Sequence, residues 1–338
     1  MRCHNVFAHE SKLKIEAAAT PFAFAAMTDS GDHLVFSTTS KPWSRADSEP
    51  VFGGYGVITG GAVTPAVSGT DDLVDAAAVE LFAPGMTASS TTGKITVAAD
   101  TDLSCTRGSS TNTHIINSIT VDTSGAYAVV AGTATTAFSD TRGASGGPPF
   151  IPVGSVEVAQ VRLTSITSAP ITADEIFAAP GVHQERYDNP DFTPDYLRGT
   201  LTFTSALPLI HTGSVAKKVY VRGAVPIVSD LIDVKDWVPS EASDSVTSDT
   251  NYDRTIAASI SSTLNAATFT MAMKDGVTDF ILSLIGKKVI LKFYPNINGT
   301  AYQLTQGYLS KTRAFPVKGN PTASFTVAAE QASVDFTS

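Results

Sequence analysis

The sequence is poor in charge. Asp, Glu, Lys and Arg make up 16% of 338 residues, against 43% hydrophobic residues, so long solvated helices laced with ion pairs are disfavoured. The polar surface is instead carried by 34 Ser and 42 Thr, which favours β-structure. Cysteine is nearly absent. Cys3 and Cys105 lie far apart and can build neither a disulfide framework nor a four-ligand metal site unaided.

Basic residues are the minority, 23 against 32 acidic ones, for a formal charge of -9. The longest Lys/Arg runs are the pairs Lys217-Lys218 and Lys287-Lys288, whereas a surface that grips nucleic-acid phosphates concentrates positive charge. Charges, prolines or polar clusters interrupt every long apolar stretch, so no membrane-inserted segment is expected. Ala17 to Met27, with Lys12 and Lys14 upstream, is the one segment like an export signal. Glu16 abuts it, its apolar part is mostly Ala and Pro21 breaks it, so a strand is the better reading.

The chain divides by composition. Residues 1–59 read as an N-terminal β segment, with runs at Leu13 to Ile15, Phe22 to Phe24, His33 to Phe36 and Val51 to Thr59. Gly60-Gly61 predicts a hairpin into Ala62 to Val67, because glycine tolerates the positive φ of primed turns. Asp71 to Phe82 predicts a helix, with Val74, Ala77, Ala78 and Leu81 at helical spacing and Asp71, Asp72 and Asp75 at its positive end. Residues 60–196 otherwise read as an additional β-rich domain, with short runs at Lys94 to Ala98, His114 to Val121, Ala126 to Ala131 and Ser155 to Leu163. Gly181 to Pro194 reads as a connection, with a boundary near residue 196.

The last third, 197–338, is the best patterned. Ala267, Phe269, Met271 and Met273 alternate with Thr268 and Thr270, the period of a half-buried strand. Thr278 can cap a short α-helix whose residues Val277, Phe280, Ile281 and Leu284 form one stripe, with Gly286 past its end. Phe280, Ile281 and Leu284 are therefore expected to pack that helix onto the sheet. Lys287 to Tyr294, Ala301 to Ser310 and Thr322 to Ala328 complete a meander.

Each chemical motif has a plainer explanation. Gly143-Ala144-Ser145-Gly146-Gly147-Pro148 differs by one residue from the nucleophile loop of chymotrypsin-like proteases. Ala144 replaces the Asp of that loop, and neither His33 nor His114 stands in the context a Ser-His-Asp triad needs. Gly53-Gly54-Tyr55-Gly56 lacks the third glycine of a dinucleotide loop and no Walker lysine follows. Cys3, His4 and His9 lack metal-ligand spacing. Asp71-Asp72 and Asp174-Glu175 are sequence neighbours that do not face each other, and read as helix starts behind Thr70 and Thr172. Asn298-Gly299-Thr300 is a turn before it is a glycosylation sequon. No enzyme activity, cofactor or metal is expected.

A resemblance enters through Gly199-Thr200-Leu201-Thr202-Phe203, Ala206-Leu207-Pro208-Leu209-Ile210, Lys218-Val219-Tyr220-Val221, Ala267 to Met273, Lys288 to Tyr294 and Ala323-Ser324-Phe325-Thr326-Val327. In strand, helix, strand and meander order, residues 197–338 resemble the major tail tube proteins of long-tailed (siphovirus-type) bacteriophages. That resemblance implies a mainly β chain: a tail-tube-type β-sandwich with a flanking short α-helix, plus the additional β-rich domain. It implies a homo-oligomer of stacked, hexameric rings in the virion, assembled in the bacterial cytoplasm, contacting other phage tail proteins and passing double-stranded DNA without gripping it. The alternative is a baseplate, fibre or decoration protein that binds another virion protein or a host surface.

Overall fold

A computed structural model describes residues 10–84, 92–122, 124–178, 191–250 and 256–337, with side chains described outside 246–250 and 256–260. These residues form a mainly β structure of several antiparallel sheets. The largest has nine strands. In spatial order they are Val234–Val238, Ala267–Ala272, Thr322–Ala329, Tyr302–Ala314, Lys288–Tyr294, Lys12–Ala26, Val219–Asp230 and Val51–Gly54, with Val334–Phe336 also pairing the Tyr302–Ala314 strand.

The expected half-buried strand is Ala267–Ala272, and Ala267, Phe269 and Met273 are buried while Thr268 and Thr270 face away from the core. It pairs with Thr322–Ala329 in a register that sets Phe269 opposite Phe325. The two rings stack with centroids 4.9 Å apart. The meander also forms, as Lys288–Tyr294, Tyr302–Ala314 and Thr322–Ala329. At the N-terminal end, the segment with signal-like composition lies in the 15-residue strand Lys12–Ala26. This strand joins the meander to the Val219–Asp230 strand by pairing with both. Its Glu16 is buried, accepting hydrogen bonds from Ser44 Oγ and, at 3.0 Å, from the Ile290 amide. Burial pushes the Glu16 carboxyl above its ordinary value, against the opposing effect of both donors.

The core falls into separate clusters. One gathers residues from Tyr55 to Ile171 together with Tyr220, and another joins Leu13 and Ile15 to the final third. A third, centred on Trp43, Phe36, Leu201 and Val221, includes Phe203 beside the sheet formed by Phe192–Asp195, Thr200–Phe203, Val35–Ser37 and Thr28–Asp29.

Four expectations need correction. The Asp71 to Phe82 segment is two strands, Leu73–Ala76 and Val79–Phe82. Val74, Ala76, Val79 and Leu81 point inward, an alternation interrupted by one three-residue step that imitates helical spacing. Gly60 and Gly61 do adopt positive φ, 79° and 72°, but no hairpin forms across them. Gly56–Gly60 pairs with Val79–Phe82, and Val63–Pro65 pairs with Leu73–Ala76. The expected connection contains the strand Phe192–Asp195; its residues 181–190 lie outside the described residues.

The fourth correction concerns Phe280, Ile281 and Leu284. Among the described residues the only helical segments are short 3-10 turns, and here the turn is Phe280–Leu284. Thr278 does not cap it. Instead the Asp279 carboxylate accepts the amides of Lys274, Asp275 and Gly276, and that of Asp275 accepts those of Val277 and Thr278. Five residues at three per turn cannot hold an α-helical stripe on one side. Ile281 and Leu284 are buried as expected, but Phe280 is 49% exposed. Ile281→Ala should therefore destabilise the chain by about 2–5 kcal/mol, whereas Phe280→Ala should stay within about 1 kcal/mol. Urea denaturation of the two variants checks the difference.

Candidate assembly surface

The sequence motifs with a chemical flavour resolve into structural parts. In the Gly143 to Pro148 segment Ser145 is exposed, and the backbone closes on itself through Gly143 N to Pro148 O (2.7 Å), Gly146 N to Thr133 O (2.7 Å) and Gly147 N to Ala144 O (3.0 Å). A Cβ on Gly146 would lie 2.3 Å from the Ala137 carbonyl, and one on Gly147 2.1 Å from that of Thr141. Close backbone approach explains these glycines. His33 is held by Asp29, 2.5 Å from Nδ1, and His114 by Thr113 and the edge of Phe138. No described hydrogen bond links either ring to Ser145.

Gly53 and Gly54 belong to the strand Val51–Gly54. A Cβ on Gly53 would lie 2.1 Å from the Phe82 ring, so this glycine makes room for an aromatic side chain. Asp72, at φ 66°, bonds Arg107 and Ser168 instead of starting a helix. Asp174 and Glu175 do open a 3-10 turn, Ala173–Glu175, and the Glu175 carboxylate accepts the Thr172 amide at 2.8 Å. Around Asn298 the chain turns through Gly299 N to Asn296 O, 2.9 Å. Cys3, His4 and His9 lie outside the described residues. Among the described residues no cluster of three or more His, Cys, Asp or Glu could hold a metal. Cys105 is buried and its thiol is pushed up to about 12, chiefly by burial, which makes it inert.

An ion-pair clasp fixes the 43–49 loop to the meander. Arg45 bonds Glu49 at 2.6 Å and also Glu330, Lys288 reaches Glu330 at 2.9 Å and Glu49 at 3.2 Å, and the Arg45 guanidinium lies 3.9 Å from the Tyr196 ring centroid. The hydrogen bonds from Arg45 hold the Glu49 carboxyl below its ordinary value. All these charges have partners, so the clasp is structural.

What remains unsatisfied is surface. The strands Ala242–Thr250 and Ile256–Leu264 pair with each other over nine residues and with no other described strand. The described side chains of this ribbon, at 242–245 and 261–264, are exposed on both faces. Its base is anchored. The buried Ser240 donates from Oγ to Asn265 O at 2.7 Å, and its amide donates to Ser333 Oγ, which bonds Thr305 Oγ1. A two-stranded ribbon is marginally stable by itself, and here it stands on a fixed base with its described side chains uncovered on both faces. The Ser/Thr/Val/Ile runs on either side of residue 251 are the signal that could have found it.

Two further features present uncovered surface. The nine-stranded sheet ends at Val234–Val238 and Val51–Gly54, and a sheet edge is a template for pairing with another chain. Val277, Phe280, Phe315 and Val317 are exposed in neighbouring turns, tied where Arg313 donates to the Gly276 carbonyl at 2.5 Å. Beside them Ile232, Met271, Phe280 and Ile281 help line a cavity of about 430 Å³.

No protein-family model matches the chain, and no curated protein matches it. Among the described residues no helix is long and apolar enough to cross a membrane.

Proposed function

We propose that the chain is a structural subunit of a bacteriophage tail tube that assembles into stacked, hexameric rings around a conduit for DNA. The observation that carries this reading is the anchored, two-sided ribbon Ala242–Thr250/Ile256–Leu264, an arm whose strands pair only with each other among the described residues and leave its described side chains open to neighbouring subunits. Open sheet edges at Val234–Val238 and Val51–Gly54 support it, because closing strands across subunits into a barrel removes exposed edges. Low charge density and abundant small residues suit large subunit contacts. In this reading the Tyr55 to Ile171 core belongs to a module carried on the tube exterior.

An acidic chain without basic clusters also suits a wall that DNA must slide past. A duplex carries a phosphate charge about every 1.7 Å of axis, so ordered lysine rings would retard it. Isolated subunits should accordingly bind duplex DNA at physiological salt no tighter than the roughly 10⁻⁴–10⁻⁶ M of non-specific contacts. A fluorescence-anisotropy titration at low and physiological salt checks this, and tight binding that survives salt would contradict a slippery lumen. Copy number tests the function itself. A tube subunit is among the most abundant tail proteins of the particle, whereas a baseplate, fibre or host-binding component is scarce, so quantitative mass spectrometry of virions separates the two.

A further inference from the structure

The joint between the Gly143 turn region and the short hairpin Leu209–His211/Val215–Ala216 contains a histidine with an incomplete hydrogen-bond set. His211 is fully buried. Its backbone forms a parallel bridge with Ile151, fixed by Ile151 N to Ile210 O at 3.0 Å and Thr212 N to Ile151 O at 2.9 Å. Its ring bonds the same segment, Nδ1 lying 3.1 Å from the Pro152 carbonyl. A carbonyl only accepts, so Nδ1 carries the proton and the neutral ring has a bare Nε2. That Nε2 is buried without a partner among the described residues.

The charged groups near the ring are mostly positive. They are Lys217 and Lys218, which follow the hairpin's second strand, and Arg142 from the opposing turn, itself held by the Pro149 carbonyl (2.6 Å) and the buried Glu157. Glu157 is engaged elsewhere as well, accepting from Ser118 and Gln160. A proton added at Nε2 therefore creates a buried cation among cations, at an atom with no hydrogen-bond partner among the described residues. Such a charge is costly to bury.

We propose that His211 is an acid-sensitive latch: its neutral imidazole holds the Ile151 segment to the Leu209–Ala216 hairpin, and protonation of Nε2 opens that joint. Burial, reinforced by Lys218, Arg142 and Lys217, lowers the imidazole from its ordinary 6.5 to about 4. Because the closed form has the lower value, the latch is at full strength above about pH 6.5. It weakens as the pH falls from there toward 4, by up to tenfold in the closing equilibrium per pH unit. Opening exposes the ring to water, where it takes up the proton.

Amide hydrogen exchange on the full chain between pH 7 and 4, corrected for intrinsic rates, tests this. Protection of the Ile151 and Thr212 amides should fall about 100-fold or more over that range, while amides of the Phe269–Phe325 pairing fall far less. In His211→Gln the fall at Ile151 and Thr212 should disappear. Protection that is independent of pH, that falls uniformly over the molecule, or that falls equally in the glutamine variant would overturn the latch. If that variant does not fold, NMR titration of His211 in the wild-type chain decides: a midpoint near 4 sustains the proposal and one near 6.5 refutes it.

Discussion

Phe269→Ala should cost the folded chain about 3–5 kcal/mol, the usual penalty for removing a fully buried phenylalanine. Phe269 is 1% exposed and stacks on its cross-strand partner Phe325 with the planes 12° apart. Trp237 lies against the same ring, centroids 6.2 Å apart. The variant therefore loses three things together: the transfer energy of the side chain, the aromatic contact and the packing around the cavity left behind. Phe325 would keep its own burial but lose the surface it lies on. Denaturant unfolding followed by intrinsic fluorescence reads the loss as a lowered midpoint at unchanged slope. A cost below about 1 kcal/mol would mean that the sheet between the Val234–Val238 strand and the meander is not packed as described.

Replacing residues 242–264 with a short Gly/Ser linker should have the opposite profile, with almost no effect on subunit stability and loss of assembly. The described part of the ribbon is exposed on both faces, so its removal takes little buried area from the subunit. The cut lies beyond Ser240, whose amide hydrogen bond to Ser333 Oγ persists in the shortened chain. The variant should unfold at the wild-type temperature yet sediment as a single subunit where the wild-type chain forms larger species. Assembly that survives the replacement would move the subunit contact elsewhere, to the exposed sheet edges or to the apolar turns around Val317. A subunit that melts well below wild type would instead make the ribbon part of the fold.

Those two expectations bracket what was legible in the sequence. Ala267–Ala272 could be read directly because one face is wet and the other dry, so alternation of Thr with Ala, Phe and Met is the pattern itself. The Lys12–Ala26 strand was legible, at Leu13 to Ile15 and in the strand reading of Ala17 to Met27. Its partner was not, because the strand is completed by pairing with Val219–Asp230, some two hundred residues away. Gly60 and Gly61 illustrate a related limit. Their positive φ was legible, but the partners of the flanking strands are fixed by burial of Val57, Val63, Val74 and Leu81 in one cluster.

Alanine also misled at Asp71 to Phe82. Ala77 and Ala78 have high helix propensity, yet there they join two buried strands, and tertiary burial of Val74, Val79 and Leu81 outweighs a local preference of a few tenths of a kcal/mol per residue. The turn at Phe280 failed for a different reason. A stripe at i, i+3 and i+4 has the same spacing in an α-helix and in a loop that merely contains one 3-10 turn, and only the length of the segment separates them. Of the candidate assembly surface, the low charge and hydroxyl-rich composition were legible, while the projecting ribbon was not singled out. Its first strand, Ala242–Thr250, lacks the apolar face that makes a strand visible in sequence, and only Ile256, Ala258, Ile260 and Leu264 in the second alternate.

The most direct test of the tube-subunit reading is negative-stain electron microscopy of the purified full-length chain across a range of concentrations. The account predicts rings, and stacked rings forming hollow tubes of constant width, that vanish when residues 242–264 are replaced. Uniform single subunits at every concentration, in a sample that is folded and intact, would contradict it.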